Sequence, residues 1–405
     1  MKSRLRLLFH VHNLLAGGIE KVLLELLQAL PEEQYEVGLL ITHYLGEHEV
    51  LKPQIPSHIR VHYLLEAPWL NWAKKKKMTG KINGIQKAAA ELVLPGFQKQ
   101  LIRKRLPQFT EGTDIFIDFD MTLGAYHPYI RAKRKVAYCH FSLSRYYDGN
   151  KRKLDKLARR LEKNDKVIML CDEMKDEAAR MYPALAPKLE RLYNALDITQ
   201  IKERAKEPLT GYELLEKQPF LLSVGRLQET QKDFGTLIKA YARALKLDPA
   251  LPILVIVGKG GYQSALEQLC VDEGISQKVI FTGFQTNPYK WMSRCHLFLF
   301  SSKYEGLPTV LLEALSLECP IIATQCPTGV REILMDGRAG ILVPVGDVGA
   351  MSKVIPELLH DEARKIAFRE QARKILVQFD IRFMIKSFER NVLDLSVDNG
   401  ASRQA

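Results

Sequence analysis

The chain has 405 residues, 46% of them apolar and 26% charged, the balance of an ordinary soluble globular protein of about two domains. No run of about 18 uncharged apolar residues occurs, so no transmembrane helix is expected. The start, Met1-Lys2-Ser3-Arg4 and a short apolar run broken by His10 and His12, reads as a first strand and not a signal peptide, which places the protein in the cytoplasm. The six cysteines, at 139, 171, 270, 295, 319 and 326, form no CxxC pair and read as thiols of a reducing compartment.

The net charge of +12 is unevenly spread. Residues 1–205 hold 35 Lys+Arg against 24 Asp+Glu, and residues 206–405 hold 24 against 23. The basic clusters include Lys74-Lys75-Lys76-Lys77, Arg103-Lys104-Arg105 and Lys151-Arg152-Lys153. Such a half is drawn to polyanions. No nucleic-acid module is present, so an anionic membrane surface is the expected partner and nucleic acid is not. Trp69, Leu70 and Trp72 beside the lysine run fit an interfacial segment.

In chain order, short apolar runs alternate with amphipathic stretches, which predicts βαβ units and parallel sheets. Leu5 to Val11 reads as a buried strand. A loop carrying Gly17-Gly18 follows, and then a helix with Ile19, Val22, Leu23, Leu26, Leu27 and Leu30 at helical spacing, stopped by Pro31. Strands are predicted at Val37–Thr42, Val61–Leu65, Ile115–Asp118, Val136–Cys139 and Val167–Leu170, with a basic helical insertion over 72–106. The charged stretch 199–217 reads as a linker. A second series follows: strands Phe220–Val224, Ile253–Val257, Val279–Phe281, Leu297–Phe300 and Ile321–Ala323, and a helix over 233–246. Ile381, Met384, Ile385, Phe388, Val392 and Leu395 have helical spacing. The tail from Val397 is polar and reads as disordered.

Three segments carry candidate chemistry. In Ser301-Ser302-Lys303-Tyr304-Glu305-Gly306-Leu307-Pro308-Thr309-Val310-Leu311-Leu312-Glu313 a strand ends, a loop carries Glu305, and a helix begins near Pro308, which suits the first turn. Free N–H groups there favour an anion, and carboxylates at two levels can grip hydroxyls of a sugar and a ribose. Ser223-Val224-Gly225-Arg226-Leu227, with Lys232 beyond, puts two cations after a strand end, where a pyrophosphate fits the crevice of a doubly wound sheet. Gly17-Gly18 allows close approach of backbone to a phosphate or sugar. Two further patterns are weaker. Asp118-Phe119-Asp120 is formally a DxD, and His10 and His12 share a strand face. Neither is read as a metal site.

Together these segments resemble the retaining GT-B glycosyltransferases of family 4, often called group 1. The resemblance covers Val224–Leu227, Val257–Gly260, Phe281–Phe284, Glu305–Glu313, Gly329–Leu334 and Gly340–Asp347, and in the first half Gly17–Glu20, His140 and Tyr193–Asp197. It implies two facing Rossmann-like doubly wound domains with a cleft between them. Residues 1–200 would bind the acceptor and residues 201–380 the donor, with a C-terminal helix over 381–396 packed back on the first domain. It further implies that Glu305 contacts the donor sugar, Glu313 the ribose, Arg226 and Lys232 the diphosphate, and Gly18 the same group. His140 would lie near the transferred sugar, and the backbone from Gly306 and Leu307 through Pro308 and Thr309 to Val310 would serve the sugar-phosphate. Lys232 departs from the pattern, since it follows Arg226 by six residues where the family commonly has five. The donor is expected to be a UDP-sugar, with no metal cofactor. The segment Gln325–Leu334 looks like bacterial enzymes of lipopolysaccharide, capsule and other surface-glycan synthesis. The expected acceptor is a glycan or lipid-linked saccharide on the inner face of the cytoplasmic membrane. The alternatives are a sugar-nucleotide epimerase or hydrolase on the same fold, recognised by free nucleoside diphosphate without transfer, and a non-catalytic partner subunit.

Overall fold

The computed structural model describes residues 4–15, 17–78 and 83–394, apart from the side chains of Lys77, Met78, Ile85, Ala88, Ala89 and Glu91. Leu395 and the tail from Val397 lie outside the described residues. The chain divides into two compact units. The first takes the described parts of residues 1–170, 175–192 and 384–405, and the second residues 171–174 and 193–383.

The sheet of the first unit contains β1 (Leu5–Val11), β2 (Tyr35–His43), β3 (Arg60–Leu65), β4 (Ile115–Asp118), β5 (Arg134–Cys139), β6 (Lys166–Met169) and β7 (Leu189–Arg191). Their order is β3-β2-β1-β4-β5-β6-β7, and every pairing is parallel. A parallel sheet needs cover on both faces, so its central strands are mainly apolar. Phe9, Leu39, Ile41, Ile117 and Val136 are all fully buried. The helix Gly18–Ala29 covers part of it through Val22, Leu23, Leu26 and Leu27. The basic insertion is two helices, Pro68–Met78 and Gly84–Thr110. Leu70, Ile102 and Leu106 pack with Leu64, Leu65 and Phe116 in one apolar cluster. Leu70 is thus a core residue, while Trp69 is 55% exposed, so the expected apolar trio 69, 70 and 72 does not act as one surface group. The C-terminal helix, Ile381–Asn391, brings Phe388 against Phe9 with stacked rings 6.2 Å apart. Tyr35 Oη donates to Glu389 at 2.7 Å.

The second unit repeats the design with β8 (Phe220–Val224), β9 (Ile253–Val257), β10 (Val279–Gly283), β11 (Leu297–Phe300), β12 (Ile321–Thr324) and β13 (Ile341–Val343), ordered β10-β9-β8-β11-β12-β13 and again all parallel. Leu237, Ile238 and Tyr241 of the helix Phe234–Leu247 pack with Leu254, Ile256, Met351 and Ile355. Each such burial stabilises by roughly 1.5–3 kcal/mol. The stretch 199–217, expected as a linker, lies inside this unit. It contains the end of the helix Ile198–Arg204, and Leu209 and Leu215 are buried.

In both sheets the chain winds outward in one direction from β1 or β8 and then in the other from β4 or β11. The switch points lie between β1 and β4 and between β8 and β11, where ligands of doubly wound sheets bind beyond the strands' carboxyl ends.

Candidate active site

In the second unit the sequence-predicted residues converge on that switch point. Arg226 and Lys232 follow β8, and Glu305 follows β11, its neighbour. Glu305 is 6% exposed, and both carboxylate oxygens are held. Lys232 Nζ donates to Oε1 at 2.5 Å and Ser302 Oγ to the same oxygen at 2.6 Å. Gln231 Nε2 donates to Oε2 at 3.1 Å. The two loops are also stapled through their backbones. Lys303 N donates to Gln231 O at 2.7 Å, and Glu305 N to Pro327 O at 2.7 Å. Ser301 Oγ donates to Lys232 O at 2.9 Å. Thr328 Oγ1 donates to Gly306 O at 2.9 Å. Glu305 and Lys232 are therefore brought together, and Ser302, Gln231 and Thr328 join them. Sequence reading missed these three. The only signal was adjacency, Gln231 beside Lys232 and Ser302 beside the Glu305 loop.

Arg226 is exposed and has no ion-pair partner among the described residues. Its loop is held by glycine. Gly225 N donates to Val257 O at 3.0 Å and Leu227 N to Lys259 O at 3.2 Å. A Cβ on Gly258, whose φ is +151°, would stand 1.8 Å from Gly225 O, and one on Gly260 2.1 Å from Leu227 O. The glycines after β9 thus let two backbones touch and present Arg226 at the sheet's carboxyl edge.

The helix after Glu305 runs Thr309–Ser316, with Pro308 as its N-cap in extended backbone, one residue earlier than the first-turn position expected. Gly306, Leu307 and Pro308 are buried, and Thr309 and Val310 are half-buried. The first-turn N–H groups have no i−4 carbonyl within the helix. Glu313, one turn further, is 6% exposed and accepts from Tyr289 Oη at 3.4 Å.

The remaining candidates lie in the first unit. Gly17 caps the helix that Gly18 begins. A Cβ on Gly17 would meet Glu20 Oε2 at 2.1 Å, whereas Gly18 has open space there. His140, just past β5, is 6% exposed. Its Nε2 donates to Phe119 O at 2.6 Å, and burial lowers its pKa to about 4. The ring is neutral at pH 7, with Nδ1 as its acceptor.

His10, Asp118 and Asp120 bring ligand atoms within 4.8 Å of one another, and the pattern is that of β1 beside β4. Both nitrogens of His10 are engaged, Nδ1 with Asp118 Oδ1 at 2.9 Å and Nε2 with Thr42 Oγ1 at 2.8 Å. Asp120 accepts from His12 N at 2.6 Å and Thr122 Oγ1 at 2.7 Å. A cation here would have to break the Thr42 or the Asp118 bond to reach imidazole nitrogen, so the trio fits a metal poorly. His12 lies one residue past β1 and packs edge-on against His43, ring centroids 4.6 Å apart.

Residues 210–375, most of the second unit, match the family described as glycosyl transferases group 1. With two parallel sheets in Rossmann order, the chain has the GT-B fold, and its second unit carries the match to the group 1 glycosyltransferases. Over 377 residues, 91% of this chain and 94% of the relative, it is 29% identical to the N-acetylgalactosamine-N,N'-diacetylbacillosaminyl-diphospho-undecaprenol 4-alpha-N-acetylgalactosaminyltransferase of Campylobacter jejuni. It is 30% identical over 159 residues, 39% of this chain and 45% of the relative, to the lipopolysaccharide core biosynthesis glycosyltransferase LpsE of Rhizobium meliloti. Among solved structures it resembles Anabaena HepE in complex with UDP and glucose, with a TM-score of 0.75, 19% identity, and coverage of 97% of this chain and 100% of that one.

Proposed function

We propose that this protein is a glycosyltransferase that moves a hexose or N-acetylhexosamine from a UDP-sugar to a glycan or lipid-linked acceptor with retention of configuration, in bacterial surface-glycan synthesis at the inner face of the cytoplasmic membrane. The observation that carries the reading is the switch-point constellation. The buried Glu305 is clamped by Lys232, Ser302 and Gln231, and Glu313 sits in the helix beyond. Arg226 and Lys232 supply positive charge for a departing diphosphate, so the reaction needs no divalent metal. The names of the relatives support a surface-glycan role, and the UDP and glucose of the Anabaena complex support the donor class.

On this reading the donor binds to the second unit and the acceptor to the first. The acceptor oxygen bonds to the anomeric carbon on the face from which the diphosphate leaves, and the leaving phosphate oxygen takes the acceptor proton. Glu305, held by three donors, is a positioning group for the sugar hydroxyls and not a covalent nucleophile. Glu313 grips the ribose, and His140 faces the transferred sugar. Membrane attachment on this reading is peripheral, through the basic charge of residues 1–205; no helix among the described residues is long and apolar enough to cross a membrane.

A panel of nucleotide sugars tests the donor assignment through thermal shift, because a ligand that binds the folded state raises Tm by mass action. A UDP-hexose or UDP-N-acetylhexosamine should raise it. No response to any UDP-sugar, with a response to another nucleotide class, overturns the donor assignment. Release of UDP without a glycosylated product in an acceptor extract points to the hydrolase or epimerase alternative.

A further inference from the structure

The first unit holds a cavity of about 220 Å³ whose lining mixes polar residues, His12, Thr42, His43 and Lys99 among them, with the apolar Leu65, Ile102 and Leu123. The polar groups behind Thr42 and His43 are buried and fix one another. Asn71, fully buried, donates through Nδ2 to Leu65 O at 2.6 Å and Ala67 O at 3.3 Å. Its Oδ1 is therefore the atom facing His43 Nδ1, 2.7 Å away. A carboxamide oxygen only accepts, so Nδ1 of His43 carries the proton. Burial, with the Lys74 charge adding to it, lowers the His43 pKa to about 4, so the ring is neutral at pH 7. Its Nε2 is then a bare lone pair with no hydrogen bond among the described residues, and it is not sealed from solvent. Thr42 is fixed in turn by His10, and His10 by Asp118. Asn71 and His10 are fully buried, and Thr42, Asp118 and His43 are buried as well. Desolvating so many polar groups costs free energy that an apolar core avoids, and rigid support of this kind is what a binding group requires.

A lone-pair acceptor calls for a hydroxyl or N–H donor and repels an anion. Lys74, close by, has its pKa lowered to about 8 by burial, against the opposing charges of Asp120 and Glu20, so it keeps its charge at pH 7. The volume lies below the roughly 300–1,000 Å³ of sites for drug-sized ligands, which suits a single ring with hydroxyls on its rim and C–H groups on its face. We propose that this cavity is a saccharide subsite that seats one sugar ring of the acceptor, with His43 Nε2 accepting from a ring hydroxyl. The proposal rests on the glycosyltransferase reading given above, and His43 becomes a specificity-determining residue for the acceptor.

Saturation-transfer NMR on the full chain, with saturating UDP present, tests it. The probes are the methyl glycosides of glucose, galactose, N-acetylglucosamine and N-acetylgalactosamine. At least one should bind the parent, and its signal should fall at least fivefold in His43→Phe, which keeps the ring shape and removes both nitrogens. Because His43→Phe leaves Asn71 Oδ1 without its donor, Lys99→Trp is the second variant; it fills the cavity from an exposed position on the helix Gly84–Thr110. It should abolish the signal while UDP affinity, read by calorimetry, stays within twofold of the parent. The subsite is overturned if no glycoside binds, if binding survives both substitutions, or if inorganic pyrophosphate competes for the cavity with UDP in place. A parent that binds a glycoside but not UDP overturns the donor reading and leaves the saccharide subsite standing.

Discussion

Lys232 Nζ lies 2.5 Å from Glu305 Oε1, on the two strand-end loops that meet at the switch point of the second sheet. The Glu305 side chain is 7% exposed and that of Lys232 20%. Each group positions the other, and each is assigned to a different part of the donor. Breaking a buried pair from one side costs about 3–5 kcal/mol, because a charge is left without its partner. Lys232 retains some water, so Lys232→Ala should cost about 2–3 kcal/mol in urea denaturation. Lys232→Ala combined with Glu305→Gln should recover most of that loss without recovering activity. Additive losses in the double variant would show that the pair is not coupled.

The two carboxylates should separate kinetically. Glu313→Ala is expected to weaken UDP binding at least tenfold in calorimetry, because ribose contacts exist before chemistry. Glu305→Ala is expected to lower kcat by two orders of magnitude or more, roughly the loss seen when one charge-positioning group is removed, while changing UDP affinity little. Unaltered UDP affinity in Glu313→Ala sinks the ribose assignment.

Metal independence is expected if Arg226 and Lys232 hold the diphosphate as proposed. Transfer measured after exhaustive EDTA treatment should match the untreated rate within twofold. Abolition by EDTA and restoration by Mg²⁺ or Mn²⁺ would reject this, and would make His10, Asp118 and Asp120 the ligands to test.

Membrane attachment should depend on charge and on the exposed apolar groups of the basic helices. Trp69 and Phe97, each 55% exposed, meet edge to face at 6.2 Å, and Leu92 on the same long helix is 82% exposed. Co-sedimentation should be strong with anionic vesicles and weak with neutral ones. It should fall with salt, since screening cuts the reach of charge to about 3 Å at 1 M. Trp69→Ser with Phe97→Ser should reduce binding severalfold and leave transfer to a soluble acceptor analogue intact. Indifference to anionic vesicles at low salt would favour a soluble acceptor.

Acid should destabilise the first unit well before carboxylates titrate. Burial lowers His43 and His140 to about 4, from an ordinary value of 6.5. Both are neutral in the fold, and the unfolded chain takes up their protons more readily. Their contribution is therefore complete above pH 6.5 and is lost as pH falls from 6.5 toward 4. Between pH 7 and pH 5 each should cost about 2 kcal/mol. Urea midpoints at the two pH values measure the slope, and His43→Gln and His140→Gln should each flatten it. A slope unaffected by either substitution would assign the acid sensitivity to other groups.

The sequence by itself determined whatever depends on local period and chain direction. β1, β4, β8, β9 and β11 fall where their apolar runs placed them, because a central strand of a parallel sheet is buried on both faces and so reads as a mainly apolar run. The Glu305–Glu313 segment was legible for a similar reason, since a strand end, a loop and a helix start are adjacent in the chain. β7 and β13, at three residues each, are too short to carry a pattern. The division of the chain near residue 192, and not in the charged stretch 199–217, follows from which helices bury their faces in which sheet, and composition does not record that. Only the tertiary structure could decide that Leu70 is core while Trp69 is exposed. The same holds for the grip of Lys232 on Glu305 across 73 residues and for the Asn71 that sets the proton on His43. The Lys232–Glu305 pairing depends on sheet order, which brings β8 beside β11, and the Asn71–His43 pairing on where the helix Pro68–Met78 meets the end of β2; a hydrogen bond has no periodic signature in the chain that makes it.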